Sequence, residues 1–204
     1  CDNGTDEYND ASIEIKNFVA TEDDKKTETS DEVPEYLSTY VAPTELGTDP
    51  LSYNIEIENQ VYTLPAPVSA FTDNGWKIAS QEDSVPSGRS LSSAIKLQKD
   101  GKEIEASVTN FADYQTKPEN CAISYLYFYA DESKNPEVKL PGGITIKSTS
   151  EDVKKWAGDK FDYSKSGDSE YYDYYDDDNE GYIDINCKKT VSSMSVKKET
   201  WPSK

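Results

Sequence analysis

The chain has 204 residues, 40 of them acidic against 21 lysines and arginines, giving a net charge of −19, and it contains no histidine. That charge opposes nucleic acid and anionic headgroups, whose phosphates need Lys and Arg. Without histidine the usual general base, the commonest transition-metal ligand and the standard activator of a nucleophile are missing. The chain therefore reads as a non-enzyme with no cofactor and no metal site.

Residues 1–50 hold 14 acids against 3 lysines, few large apolar residues and no sustained period. Such a stretch cannot bury enough surface to offset its conformational entropy, so it is expected to be a flexible acidic tether. Cys1 followed by a polar stretch is what a bacterial lipoprotein signal peptide leaves after cleavage. No apolar run reaches the ~18 residues of a membrane span, so attachment would be by lipid on Cys1 alone.

The folded part is expected to start near Leu51, as two units over 51–138 and 139–204. Tyr53 to Leu64 alternates around a turn at Glu58 to Gln60 and predicts a short hairpin; Pro65 and Pro67 end it. Val68 to Gly75 fits about two helical turns closed by Asn74-Gly75. Trp76 follows as an anchor, and Lys77 opens another strand. Ser92 to Ala112 carries two alternating runs around Asp100-Gly101, the signature of a tight hairpin.

Cys121 to Ala130 predicts a strand with Cys121, Ile123, Tyr125, Tyr127 and Tyr129 on one face and mainly Ala122, Leu126 and Phe128 on the other, both faces covered. A short helix follows, capped by Ser148 or Thr149, with Glu151 and Asp152 favouring its positive end, Val153, Trp156 and Ala157 as its buried stripe and Gly158 as its stop. Three strands close the chain: Tyr171–Tyr175, Gly181–Cys187 and Val191–Lys198. Each half thus reads as a short helix followed by about three antiparallel strands, a weak structural duplication.

Cys121 and Cys187 are either a disulfide pair, which export permits, or two buried free thiols acting as small hydrophobes. Asp176, Asp178 and Glu180 before Gly181 suggest part of a calcium loop, but the twelfth position from Asp176 is Cys187, where an EF-hand needs a bidentate Glu. The segment reads instead as a hairpin connection with solvated acids at its tip. Tyrosines number 15 against 5 phenylalanines, a surplus typical of interfaces. Tyr171, Tyr172, Tyr174 and Tyr175 form the candidate binding surface: alternation turns one pair to the core and the other to solvent, where it would meet a protein or a glycan or simply stiffen the sheet by cross-strand pairing.

Gly143, Ile144, Thr145, Ser148, Thr149, Asp152, Val153 and Gly158, followed by Tyr172, Tyr174, Ile183 and Ile185, resemble the pattern of extracytoplasmic domains related to β-lactamase inhibitor protein and the SmpA/OmlA-type envelope lipoproteins. Tyr62, Leu64, Pro65, Pro67, Val68, Phe71, Asn74, Gly75 and Trp76 resemble a segment of surface lipoproteins of gut Firmicutes. The resemblance implies a fold and a compartment, and no reaction.

The expected fold is α+β, with short helices packed on antiparallel sheets in two similar halves. The expected function is a non-catalytic, lipid-anchored binding or envelope module, monomeric, on the outer face of a Gram-positive cell membrane, with a protein or glycan ligand. The alternatives are a secreted inhibitor of an extracellular enzyme, which the resemblance alone suggests, and an enzyme using a Ser-Lys or paired-carboxylate site. Intact mass spectrometry of protein from its native host is expected to find diacylglyceryl lipid on Cys1; an unmodified Cys1 removes the anchor.

Overall fold

The computed structural model describes residues 28–79, 82–177 and 179–202. The alternating runs become strands, and the Gly-, Asn- and Asp-marked breaks become turns. The elements in chain order are β1 (Asn54–Ile57), β2 (Gln60–Thr63), β3 (Ala66–Pro67), α1 (Val68–Thr72), β4 (Lys77–Ala79), β5 (Gly88–Lys99), β6 (Lys102–Asn110), β7 (Ala122–Tyr129), β8 (Val138–Lys139), α2 (Ser150–Ala157), β9 (Asp162–Ser166), β10 (Ser169–Tyr175), β11 (Gly181–Lys188) and β12 (Thr190–Lys198). Both predicted tight hairpins form: Glu58 and Asn59, and Asp100 and Gly101, all adopt the positive φ that such turns require.

β1, β2 and β8 make a small sheet, and the large one has the order β4-β5-β6-β7-β12-β11-β10-β9, with β3 also on β7. Each half supplies a short helix and then a four-stranded antiparallel meander, and β7 and β12, the last strands of the two meanders, pair antiparallel. Three strands per half were expected. The second half's extra strand, β9, is exposed at all five positions, so it has no apolar alternation for the sequence to display. The boundary between 138 and 139 falls inside β8, and one core crosses it. Ile55, Ile57 and Tyr62 of the small sheet, Phe71 of α1 and Val153 of α2 join Leu97, Leu126, Phe128, Ile183 and Ile185 of the large sheet in a single buried cluster.

α2 forms where the sequence places it. Thr149 accepts from the Asp152 N–H at 3.1 Å while the Asp152 carboxylate accepts from the Thr149 N–H at 3.0 Å, a reciprocal cap. Val153 and Ala157 are buried, and Trp156 is half-buried with its indole N–H donating to the Pro141 carbonyl at 2.7 Å.

Two expectations are corrected, and the choice left open at the cysteines is decided. The tether does not extend to residue 50. From Ser30 on, the chain is built into the fold: the Ser30 N–H donates to the Gln115 carbonyl at 2.8 Å, a 3-10 turn over Glu35–Thr39 buries Leu37, and Tyr36 packs edge-on against Trp201 at 4.8 Å and Phe111 at 6.0 Å. The side chain of Asn120, 4% exposed, donates to the Glu32 carbonyl at 3.2 Å, so backbone groups of a polar segment are satisfied by partners distant in sequence. Residues 1–27, with Cys1, lie outside the described residues.

Cys121 and Cys187 are free and buried. Tyr129 is level with Ser193, and Ser193 with Asn186, so Cys121 lies eight residues before that level and Cys187 one after it. At ~3.3 Å per residue this is close to 30 Å, far beyond the ~7 Å between Cα atoms that a disulfide spans. Burial pushes the Cys121 thiol up to about 12. The second correction is that a bulge at Ser124 breaks the alternation of β7: Tyr125 faces Ser107 while Ile123 faces the next residue, Val108. Ile123 therefore points to the core, while Tyr125 and the tyrosines after it point the other way.

Because Leu37 is only 9% exposed in a segment read as tether, Leu37→Ala is expected to cost about 2 kcal/mol in urea unfolding. An unchanged midpoint would restore the flexible tether.

Candidate functional site

The helices and the small sheet cover one face of the large sheet; among the described residues, no helix lies on the other. Strand register lays that open face out in lines. Tyr175 of β10, Tyr182 of β11, Lys197 of β12 and Tyr125 of β7 form one, and Asp173, Asp184, Ser195 and Tyr127 the next. Tyr171, Asn186, Ser193 and Tyr129 form a third.

The rings touch in sequence across strands. Tyr175 stacks on Tyr182 at 5.6 Å, Tyr182 meets Tyr125 at 6.2 Å, Tyr125 meets Tyr127 at 6.1 Å, and Tyr127 meets Tyr129 at 4.5 Å. The ends of this five-ring run stand out most, Tyr175 at 57% and Tyr129 at 46% exposure. Small side chains on β12 make room for it: Ser195 is 1% exposed and its hydroxyl donates to that of Tyr182 at 3.4 Å, while Tyr182 donates to the Tyr125 hydroxyl at 3.3 Å. Burial, then the hydrogen bond with Tyr182, pushes the Tyr125 hydroxyl far above the usual tyrosine range.

Beside the run, over β5 to β7, lies a hollow of about 680 Å³ lined by Ala94, Lys96, Glu105, Ser107 and Tyr127 among others. At its edge the Lys96 ammonium lies 3.5 Å from the carboxylate of Glu103, which also accepts from Gln98 at 3.0 Å. Asp184 is the outlier of the face. Burial, and then the carboxyl of Asp173 within hydrogen-bonding reach, pushes its carboxyl up to about 8.

The four tyrosines singled out in the sequence separate as alternation requires, and only one pair reaches the open face. Tyr172, 2% exposed, and Tyr174, packed on the core beside Phe161, belong to the covered side and are not surface groups. Tyr171 and Tyr175 lie on the open side. Most of the ring run comes from Tyr182 of β11 and from Tyr125, Tyr127 and Tyr129, the last three of which the sequence reading left out because it took both faces of β7 to be covered. Their signal was present: tyrosines at every second position, interleaved with Leu126 and Phe128.

Asp176 serves the β10–β11 turn. Its carboxylate accepts from the N–H groups of Glu180 and Gly181, each at 3.1 Å, from the Tyr53 hydroxyl at 3.2 Å and from Lys198 at 2.6 Å. Burial opposes its charge, but Lys198 and the Gly181 N–H outweigh burial and hold it below the usual range. A side chain at Gly181 would strike Tyr53 and Asp176. Asp178 lies outside the described residues, and among those described no three Asp, Glu, Cys or His side chains are placed to hold a metal ion.

In comparisons with protein-family models, curated proteins and solved structures, nothing matches the chain.

The Tyr172 ring fills the core, but its hydroxyl meets no hydrogen-bond partner among the described residues. Tyr172→Phe is therefore expected to leave the melting temperature unchanged or raise it, while Tyr172→Ala costs about 3–5 kcal/mol. A Phe variant as damaged as the Ala variant would mean that the hydroxyl is satisfied in solution.

Proposed function

We propose that the protein is a non-catalytic binding module of the bacterial cell surface, and that a partner protein docks on the tyrosine face. The carrying observation is the five-ring run on a sheet face that no helix covers among the described residues. Tyrosine offers a large, nearly rigid contact area at little entropic cost, with a hydroxyl for hydrogen bonding. Aromatic rings are enriched at protein interfaces, and charged residues such as Lys96 and Glu105 flank the run. The net charge of −19 favours neutral or basic partners. The resemblance to envelope lipoproteins supports an extracytoplasmic setting at the outer face of the membrane.

Tyr129 and Tyr175 are the most exposed ends of the run, so their removal should spare the fold. Protein captured at the native cell surface by the wild-type chain is expected to be lost, by tenfold or more in affinity, from the Tyr129→Ala/Tyr175→Ala double variant, whose melting temperature stays within a few degrees. Equal capture by both chains would move docking off this face. Retention of glycan in place of protein would change the partner class.

A further inference from the structure

Strand register sets two carboxyls side by side in the middle of the tyrosine face. Asp173 of β10 is the direct cross-strand partner of Asp184 of β11, and Asp162 of β9 is in turn the partner of Asp173. Like charges facing each other across strands are destabilising, and two carboxyls in hydrogen-bonding reach relieve that repulsion by holding one proton between them. The other groups around the pair offer little neutralisation. On β12 the direct neighbour of Asp184 is Ser195, and the diagonal one is Lys197, whose ammonium lies 3.2 Å from the Glu199 carboxylate. On β10 the flanking groups are Tyr171 and Tyr175, on β11 Tyr182 and Asn186, and beyond Ser195 comes Tyr127 of β7. The side-chain oxygen of Asn186 is itself buried with no donor among the described residues, so it adds another acceptor rather than a counter-charge.

We propose that Asp173 and Asp184 form a proton-sharing carboxyl pair that switches the charge of the tyrosine face with pH. In the protonated state one carboxyl donates to the other and the pair carries a single negative charge. Loss of the proton to solvent leaves two carboxylates facing each other among the rings. The upward displacement of Asp184 to about 8 puts the change just above neutrality. If the docking reading above holds, the same proton regulates that face, since a partner that brings a cation to the pair displaces the proton and binds more tightly as pH rises.

The sign for stability follows from the direction of the displacement. A folded-state value raised from the ordinary 3.8 means that the folded chain holds a proton the unfolded chain has released. The contribution to stability is therefore complete below the ordinary carboxylate range and is lost as pH rises through about 8.

Carbon-detected NMR of the side-chain carboxyls in the full chain, titrated from about pH 4 to about pH 10, tests this. The Asp184 midpoint is expected near 8, and Asp173→Asn is expected to bring it down towards the ordinary range. Melting temperatures supply a second readout. Relative to Asp184→Asn, the wild type is expected to lose stability as pH rises from about 5 to about 8, and this holds even if the Asp173 variant fails to fold. Titration of both carboxyls below about pH 5, or an Asp184 midpoint unmoved by Asp173→Asn, would overturn proton sharing. Neither result bears on docking, and failure of the tyrosine variants to lose a partner leaves the titration untouched.

Discussion

The cross-strand pairs between β7 and β12, running from Tyr125 with Lys197 to Tyr129 with Ser193, hold together two meanders made by opposite halves of the chain. Each meander pairs strands that are neighbours in sequence. The central seam joins residues nearly 70 positions apart, so the entropy of closing that loop must be met by what the seam buries. It buries Leu126 and Phe128 against Val196 and Met194 on one side, and Ser195 beneath tyrosines on the other. Without this seam neither helix-covered meander would share the common core, and the lines of residues that cross from β10 to β7 would not exist.

Coverage of one face follows from the same arrangement. The two helices are short, and α1 and α2 each bury only a pair of apolar side chains. The small sheet completes the layer with Ile55, Ile57 and Tyr62, the last stacked on Phe71 at 4.0 Å. The Asp176 cluster then ties that layer to the far hairpin, through Tyr53 on one side and Lys198 on the other. Among the described residues no helix covers the opposite face, which is closed by its own side chains, tyrosines lying over serines.

Such a face is polar at the ring tips and apolar over the ring bodies, and its acids do not match its cations. Glu103 is met by Lys96 and Lys134, and Asp176 by Lys198, whereas the Asp162, Asp173 and Asp184 line faces serine, asparagine and tyrosine. A folded protein keeps an uncompensated carboxyl in a half-buried position by protonating it. The face therefore combines a continuous aromatic area with a carboxyl pair whose charge burial disfavours.

The α+β class, the Asp100-Gly101 hairpin, the reciprocal cap on α2 and the splitting of the Tyr171–Tyr175 tyrosines into two pairs were legible in the chain itself, because alternation, turn residues and caps act over a few neighbouring positions. Alternation also showed that β7 has two faces. It did not show which face would be covered, because that depends on the small sheet, the helices and the bulge at Ser124, whose effects come from residues far away in sequence. For the same reason composition hid the packing of residues 28–50, where Tyr36 meets Phe111 and Trp201, and Leu37 is buried, only after folding. The sequence by itself determined the local elements and the acidic, tyrosine-rich surface chemistry. Tertiary structure alone decided that Cys121 and Cys187 end far apart, that five tyrosines form one run and that Asp173 and Asp184 meet, since each of these is a matter of strand register across the sheet.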